Sequence, residues 1–189
     1  MIRPSDSLQP MRRLIRQLSK LATPERYLFT PDDMRALVPD LSDSAYKTLL
    51  SRAAAEGHLA RLCRGLYLFE PVKPESGLVL FHAAARLRAS QLNYISLETA
   101  LSDLGVISQI PINWITLMSS GRSSIISCGK WGTIEFVHTR QRPLALIGNL
   151  RYDAACRLWR ASAGQALRDM KAAKRKMDLI DWSTANELV

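Results

Sequence analysis

The first part of the sequence distributes apolar residues in patterns that are typical of helices. From Pro10 to Ala22 they recur at steps of three and four positions, which is the spacing of one helical face, and basic residues occupy the other side. A turn and a short strand are predicted next. A second, shorter helix is then predicted from Pro31 to Leu37. Thr30 is placed to cap it, proline suits its first position, and two acidic residues follow in the first turn.

A third helix is predicted a few residues further on. Ser42 or Asp43 is placed to cap it, and the helical pattern continues to about Glu56. Gly57 follows, and a glycine in this position commonly ends a helix. The residues expected on the buried side of this helix are Tyr46, Leu49, Leu50 and Ala53.

A β-hairpin is predicted after the third helix. Residues 58–62 and 66–69 form two strand-like segments, and Arg64-Gly65 supplies the turn between them. The order helix, short strand, helix, helix and hairpin is that of a winged helix–turn–helix. We therefore expect residues 1–71 to form a winged helix–turn–helix DNA-binding domain.

The rest of the chain is predicted to form a second, mixed domain over residues 78–189. A linker rich in proline, residues 71–77, precedes it. Helices are expected at 78–89 and 96–105, and strands at 93–95, 114–118, 124–127 and 132–138. From Leu150 to about Met177 the pattern predicts helix with a break at Gly164, and a last short turn or helix begins at Trp182. The predicted fold class is therefore α+β, with a winged helix–turn–helix domain followed by a mixed α/β domain.

Composition and charge narrow the possible functions. The 189 residues are 47% hydrophobic and 23% charged, which is typical of a folded globular protein rather than a disordered chain. The formal net charge is +9, and it is uneven: residues 1–70 carry +3, residues 71–140 carry +2 and residues 141–189 carry +4. A basic excess at both ends favours a polyanionic partner, nucleic acid first and an acidic membrane surface second.

Known catalytic and targeting motifs are absent from the sequence. There is no phosphate-binding glycine loop, no zinc-protease motif and no nucleophile elbow. The adjacent Asp32 and Asp33 are expected to serve the helix cap, the three histidines are isolated, and the three cysteines lie far apart. No signal peptide and no membrane-spanning segment is predicted. We expect a cytoplasmic protein that is not an enzyme and has no cofactor and no metal site.

The predicted winged helix carries residues suited to reading DNA. Its second motif helix would lie in the major groove, where small hydroxyl residues permit close approach and basic residues reach base edges or phosphates. The candidates on the exposed side of this helix are Ser44, Lys47, Thr48, Ser51 and Arg52, with Arg61 and Arg64 framing the hairpin turn. The competing interpretation is that these residues are only the solvated side of an amphipathic helix.

Basic residues outside this helix are candidate phosphate or partner contacts. The first predicted helix contributes Arg12, Arg16 and Lys20. The C-terminal run RDMKAAKRKMD contributes Arg168, Lys171, Lys174 and Arg175, whose spacing predicts one stripe along a helix. Such a stripe fits phosphate groups or an acidic partner, although basic stripes are more often a solvated face.

Three strings in the sequence resemble the AbiEi family of antitoxins from abortive-infection toxin–antitoxin systems. LLSRAAAEGHLARLCRGLYLF is followed, after the linker, by NYISLETALSDLGVISQIP and later by GTIEFVHT. The resemblance covers about residues 27–138 and is strongest at Arg64–Tyr67 and Tyr94–Leu101. Residues 141–189 match less clearly.

The resemblance implies a function. Members of the family bind repeats in the promoter of their own operon through an N-terminal winged helix and repress it. Their C-terminal domain neutralises a nucleotidyltransferase-like toxin, usually without a stable complex, as type IV antitoxins do. By position, the implied DNA-reading residues are the five helix candidates named above together with Arg64. The extended basic helix at the N-terminus and the basic tail depart from the family pattern.

Two other functions fit the same sequence. A winged-helix transcription regulator unrelated to any toxin would use its second domain to sense a ligand or partner. A protein-interaction module would hold a toxin and never bind DNA.

Overall fold

The computed structural model describes residues 9–72, 77–108 and 113–189. The predicted linker falls partly on residues 73–76, and the last family-like residues of the second string fall on 109–111, outside the described residues. Contacts divide the chain into two compact units, Met1–Ser76 and Gly77–Val189. Over the described residues the protein is α+β, with seven α-helices and two β-sheets.

The first unit contains three helices and three short strands in its described part. In chain order they are α1 (Pro10–Leu21), β1 (Leu28–Phe29), α2 (Pro31–Arg35), α3 (Asp43–Ala55), β2 (Leu59–Cys63) and β3 (Leu66–Phe69). Each element confirms one predicted from the sequence, and the boundaries differ by at most two residues. The strands form an antiparallel sheet in the order β1-β3-β2.

Side-chain caps define the starts of α2 and α3. Thr30 Oγ1 accepts a hydrogen bond from the backbone N–H of Asp33 at 3.2 Å, and Asp33 Oδ2 accepts one from the N–H of Thr30 at 2.7 Å. This reciprocal pair is a capping box, which satisfies two otherwise unpaired backbone donors. Ser42, rather than Asp43, caps α3 and accepts from the N–H of Ala45 at 3.3 Å.

The core of the first unit lies between its helices and sheet. The apolar side of α3 is buried as predicted, and Leu14 and Leu18 of α1 join it with no exposed surface. The hydroxyl of Tyr46 donates to the carbonyl oxygen of Pro31, which connects α3 to the start of α2. Burial of one face therefore fixes the position of α1 and of α3, and the opposite face of each helix is left in solvent.

The second unit is built on a six-stranded mixed sheet. Its elements are α4 (Val79–Leu87), β4 (Asn93–Ile95), α5 (Leu97–Asp103), β5 (Trp114–Ser119), β6 (Ser124–Ser127), β7 (Thr133–His138), β8 (Leu150–Asp153), β9 (Leu158–Ala161), α6 (Ala163–Ala172) and α7 (Trp182–Glu187). The strand order is β6-β7-β5-β4-β9-β8, so β6 and β8 are the two edges.

Helices cover both faces of this sheet. Thr116 of β5 bonds to Thr99 of α5, with its backbone N–H donating to Thr99 Oγ1 at 2.8 Å, and α6 packs against α5. Thr116 pairs with Glu135 of β7. Phe136 is the next residue of that strand, so its side chain points to the opposite face of the sheet. There the guanidinium of Arg88, just after α4, stacks on the Phe136 ring at 3.9 Å. Thus α4 covers one face and α5 and α6 cover the other.

The prediction of helix from Leu150 to about Met177 is wrong over residues 150–161 and correct for the helix that follows. The strands β8 and β9 form a hairpin at the edge of the sheet, and Tyr152 pairs with Trp159 across it. Their rings meet edge to face with centroids 5.5 Å apart. Cross-strand pairs of this kind stabilise strands. Helical periodicity in the sequence does not reveal that such residues lie close together.

The helix that follows is shorter than predicted. Ser162 caps α6 by accepting from the backbone N–H of Gln165 at 3.3 Å, so Gly164 lies in the first helical turn and does not interrupt the helix. The last predicted element is present as α7, which Asp181 caps. None of the helices in the described ranges is both long enough and apolar enough to cross a membrane.

Candidate nucleic-acid interface

The exposed face of α3 holds all five candidate residues of the predicted recognition helix. Burial of the apolar side turns the opposite side outward, because side chains three and four positions apart share a face. The residues exposed on it are Ser44, Lys47, Thr48, Ser51 and Arg52. The structure therefore brings these residues together on one accessible surface.

Local contacts leave most of this face available. Thr48 Oγ1 donates to the carbonyl oxygen of Ser44 at 3.0 Å, a bond within the helix. Arg52 forms an exposed ion pair with Glu56, with 3.3 Å between Nη2 and Oε1. Among the described residues Lys47 has no ion-pair partner. Because exposed ion pairs contribute little to stability, Arg52 can exchange Glu56 for another anion.

The hairpin turn presents the other two candidates. Arg61 and Arg64 are both exposed, Arg61 on β2 and Arg64 in the turn before β3. Gly65 has a φ of +82°, a backbone conformation that favours glycine, and this lets the chain reverse tightly. The turn therefore holds one guanidinium at its tip and a second on the strand leading to it.

A basic stripe also lies along α1. Arg12, Arg16 and Lys20 are exposed and four residues apart, while the buried leucines of α1 face inward. Arg13 is different, because it forms an ion pair with Asp40 and holds the pKa of that carboxyl below its usual value. The three predicted residues thus share one solvent-facing side of the helix.

Replacing Arg12 and Arg16 together by alanine is expected to weaken binding to all DNA sequences alike. Each lost phosphate contact removes about 0.9 from the slope of log K against log salt, so the slope should become shallower by about 1.8. Fluorescence anisotropy on a specific and an unrelated duplex at several salt concentrations measures this. An unchanged slope would show that α1 does not contact phosphate.

The C-terminal basic residues do not form the predicted helical stripe. The helix α6 ends at Ala172, and Lys174 adopts a φ of +53°. The backbone N–H of Arg175 bonds to the carbonyl of Met170 at 2.9 Å and that of Lys174 to Lys171 at 3.1 Å. These two bonds form a Schellman motif, which terminates a helix.

The side chains of this run are also directed to different places. Arg175 pairs with Glu135 and lies 3.6 Å from a carboxylate oxygen of Glu98. Arg168, although exposed, donates to Asn149 Oδ1 and Gln165 Oε1, both at 2.9 Å. Among the four residues, only the exposed Lys171 and Lys174 are without side-chain partners in the part of the chain that the structure describes.

The described residues include neither an exposed cysteine nor a cluster of side chains that could bind a metal ion. The three cysteines are buried, and burial raises the pKa of the Cys156 thiol to about 11. No group of three histidine, cysteine or acidic side chains within residues 9–72, 77–108 and 113–189 is arranged to hold a metal ion.

The geometry thus defines an α+β protein of two units, the first of which exposes a polar and basic helix face beside a basic hairpin turn. No protein-family model matches the chain, and no curated protein matches it.

Proposed function

We propose that the chain is an antitoxin and transcriptional autorepressor, and that its first unit is a winged helix–turn–helix that binds repeats in its own promoter. The observation that supports this best is the outward face of α3, where three hydroxyl groups and two cations lie opposite the buried core. The order of helices and strands in the first unit agrees with that proposal.

In this proposal α3 enters the major groove. Ser44, Thr48 and Ser51 allow the helix to approach the bases closely, and Lys47 and Arg52 donate to base edges such as the O6 and N7 atoms of guanine. Arg64 in the hairpin turn contacts the phosphate backbone or the minor groove. Arg61 and the basic stripe on α1 add phosphate contacts that carry no sequence information.

The antitoxin part of the proposal rests on the resemblance of the second unit to the AbiEi family. Its strongest string, Tyr94–Leu101, forms β4 and the start of α5 and is almost entirely buried. The string therefore encodes part of the core of the unit. The surface that would act against a nucleotidyltransferase-like toxin must consist of other residues.

Binding to the gene's own upstream region tests the DNA-binding function. In a gel-shift titration, the chain should bind that fragment at least about a hundredfold more tightly than an unrelated duplex of equal length, at physiological salt. Equal affinity for both fragments would contradict sequence-specific repression. No binding to either would favour a module that contacts only protein.

Growth assays test the antitoxin function separately. The downstream reading frame should encode a nucleotidyltransferase-like protein whose expression arrests growth, and co-expression of this chain should restore growth. If the chain binds its promoter but no such toxin gene is adjacent, a transcription regulator with a sensing second unit becomes the better interpretation.

A further inference from the structure

A cleft of about 720 Å³ lies in the second unit, between the C-terminal end of α4 and residues 120–123, the loop from β5 to β6. Arg88, Arg122 and His138 are among the residues that line it. The other described residues that line it are polar or glycine, and none of them is acidic. The cleft therefore concentrates positive charge on a surface that the proposed DNA-binding face does not include.

Arg88 is a partly buried cation that lacks a counter-ion among the described residues. Its Nη2 donates to the carbonyl oxygen of Arg122 at 2.6 Å and to Ser124 Oγ at 2.8 Å, and its plane stacks on Phe136. All of these partners are uncharged. Its Nη1 is buried with no hydrogen-bond acceptor in the described chain, and burial lowers the pKa of the group. Such a cation is costly unless an anion lies nearby.

The loop over Arg88 is held in place by specific bonds. The backbone N–H of Gly121 donates to Ser119 Oγ at 3.1 Å, and the N–H of His138 donates to Ser123 Oγ at 2.9 Å. His138 Nδ1 lies 2.9 Å from the carbonyl oxygen of Gly121, so Nδ1 is the donor and Nε2 is the ring nitrogen left for a ligand. These bonds connect the loop to β7 and orient the imidazole.

A glycine at position 121 lets the side chain of Gln91 pack closely against the backbone of the loop. A Cβ atom there would lie 2.0 Å from Gln91 Oε1 and 3.0 Å from Arg88 Nη1. Any side chain would displace Gln91 and crowd the guanidinium of Arg88.

We propose that this cleft binds a phosphate group. Arg122 would contact the phosphate directly, Nε2 of His138 would face it, and Arg88 would contribute its charge from behind the loop. The serine hydroxyls at 120 and 123 offer further donors. A phosphate carries more charge and more acceptor oxygens than a carboxylate, which matches this set of donors. Its source is either a small phosphorylated molecule or a nucleic-acid backbone, and the proposal does not depend on the function proposed above.

Calorimetric titration of the full chain with inorganic pyrophosphate at constant ionic strength tests the proposal. We expect saturable binding that Arg122→Gln weakens about tenfold or more, the loss expected for a charge-assisted hydrogen bond. Arg151→Gln is the matched control, because Arg151 is an exposed arginine on β8, at the opposite edge of the same sheet. It should change affinity by less than about twofold.

His138→Asn is a second variant. The asparagine amide can still donate to the Gly121 carbonyl in place of Nδ1, but it has no group at the position of Nε2. Pyrophosphate binding should weaken while the urea midpoint of the second unit, followed by tryptophan fluorescence, stays unchanged. This variant decides the question if Arg122→Gln proves unstable.

Competition identifies the source of the phosphate. If it is a small molecule, ATP displaces pyrophosphate and an unrelated DNA duplex does not. If it is nucleic acid, the duplex competes, and Arg122→Gln makes the salt slope of non-specific binding shallower by about 0.9. No saturation up to about 10 mM pyrophosphate, or equal weakening by Arg122→Gln and Arg151→Gln, would overturn the proposal.

Discussion

Replacing Lys47 and Arg52 together by alanine is expected to abolish specific binding to the chain's own promoter. Each side chain that donates to a base edge contributes about 1–3 kcal/mol of discrimination, so losing both should reduce specific affinity by between about thirtyfold and more than ten-thousandfold. Non-specific binding should fall far less, because the hairpin and α1 keep their cations. Gel-shift titration on the promoter fragment and on an unrelated duplex measures the two affinities.

The double substitution should leave the fold intact. Both side chains are exposed, and alanine has the highest helix propensity, so only the weak pair between Arg52 and Glu56 is lost. The circular dichroism spectrum should therefore match that of the wild type. The paired alanine variant of Arg12 and Arg16 removes the same charge and should weaken all sequences equally. If the Lys47 and Arg52 variant binds the promoter as well as the wild type, α3 is not the recognition helix.

Asp169→Ala is expected to destabilise the second unit by about 3–5 kcal/mol. Asp169 is fully buried in α6, and its carboxylate accepts from Ser96 Oγ at 2.7 Å and from the side-chain amides of Gln141 and Gln165, both at 2.8 Å. Alanine would leave Ser96 Oγ and the half-buried amide of Gln141 without this acceptor, and Gln165 Nε2 would keep only its bond to Gln141 Oε1. Each unsatisfied buried group costs about 1–3 kcal/mol. This carboxylate also joins α6 to the start of α5 and to the segment after β7.

Urea unfolding followed by tryptophan fluorescence isolates this effect. All four tryptophans lie beyond residue 77, so the signal reports on the second unit alone. Asp169→Asn is the control: its carbonyl oxygen still accepts from the two glutamines, and its amide can donate to Ser96, so a loss of only about 1–2 kcal/mol is expected. Equal losses for both variants would show that the negative charge, rather than the hydrogen bonds, stabilises the core.

The first unit could be predicted closely from the sequence because its signals are local. Thr30 and Ser42 are caps that act within three residues, and the burial of α3 follows from the spacing of its apolar positions. The exposed candidates on α3 were predictable for the same reason, since fixing the buried face also fixes the exposed one.

In the second unit, strands β4 to β7 were predicted to within one residue, but the hairpin of β8 and β9 was missed because distant partners stabilise it. The hairpin of β8 and β9 lies beside β4, more than 60 residues earlier in the chain, where Tyr94 pairs with Trp159. Ion pairs from Arg175 to Glu98 and Glu135 likewise join residues 40 or more positions apart and help to place the chain after α6. Apolar periodicity holds no information on such pairs.

By itself, the sequence determined the helices, caps and hairpin of the first unit and the outward set of residues on α3, because each depends on neighbours a few positions away. Only the tertiary structure decided the order of strands in the second sheet. It also showed that α6 ends at Ala172, so that the basic run after it is not helical. It also brought Arg88, Arg122 and His138 into one cleft. The strand order and the cleft depend on contacts between residues that are remote in the chain, which form only when the sheet assembles. The end of α6 is set by the local Schellman motif, which apolar periodicity does not reveal.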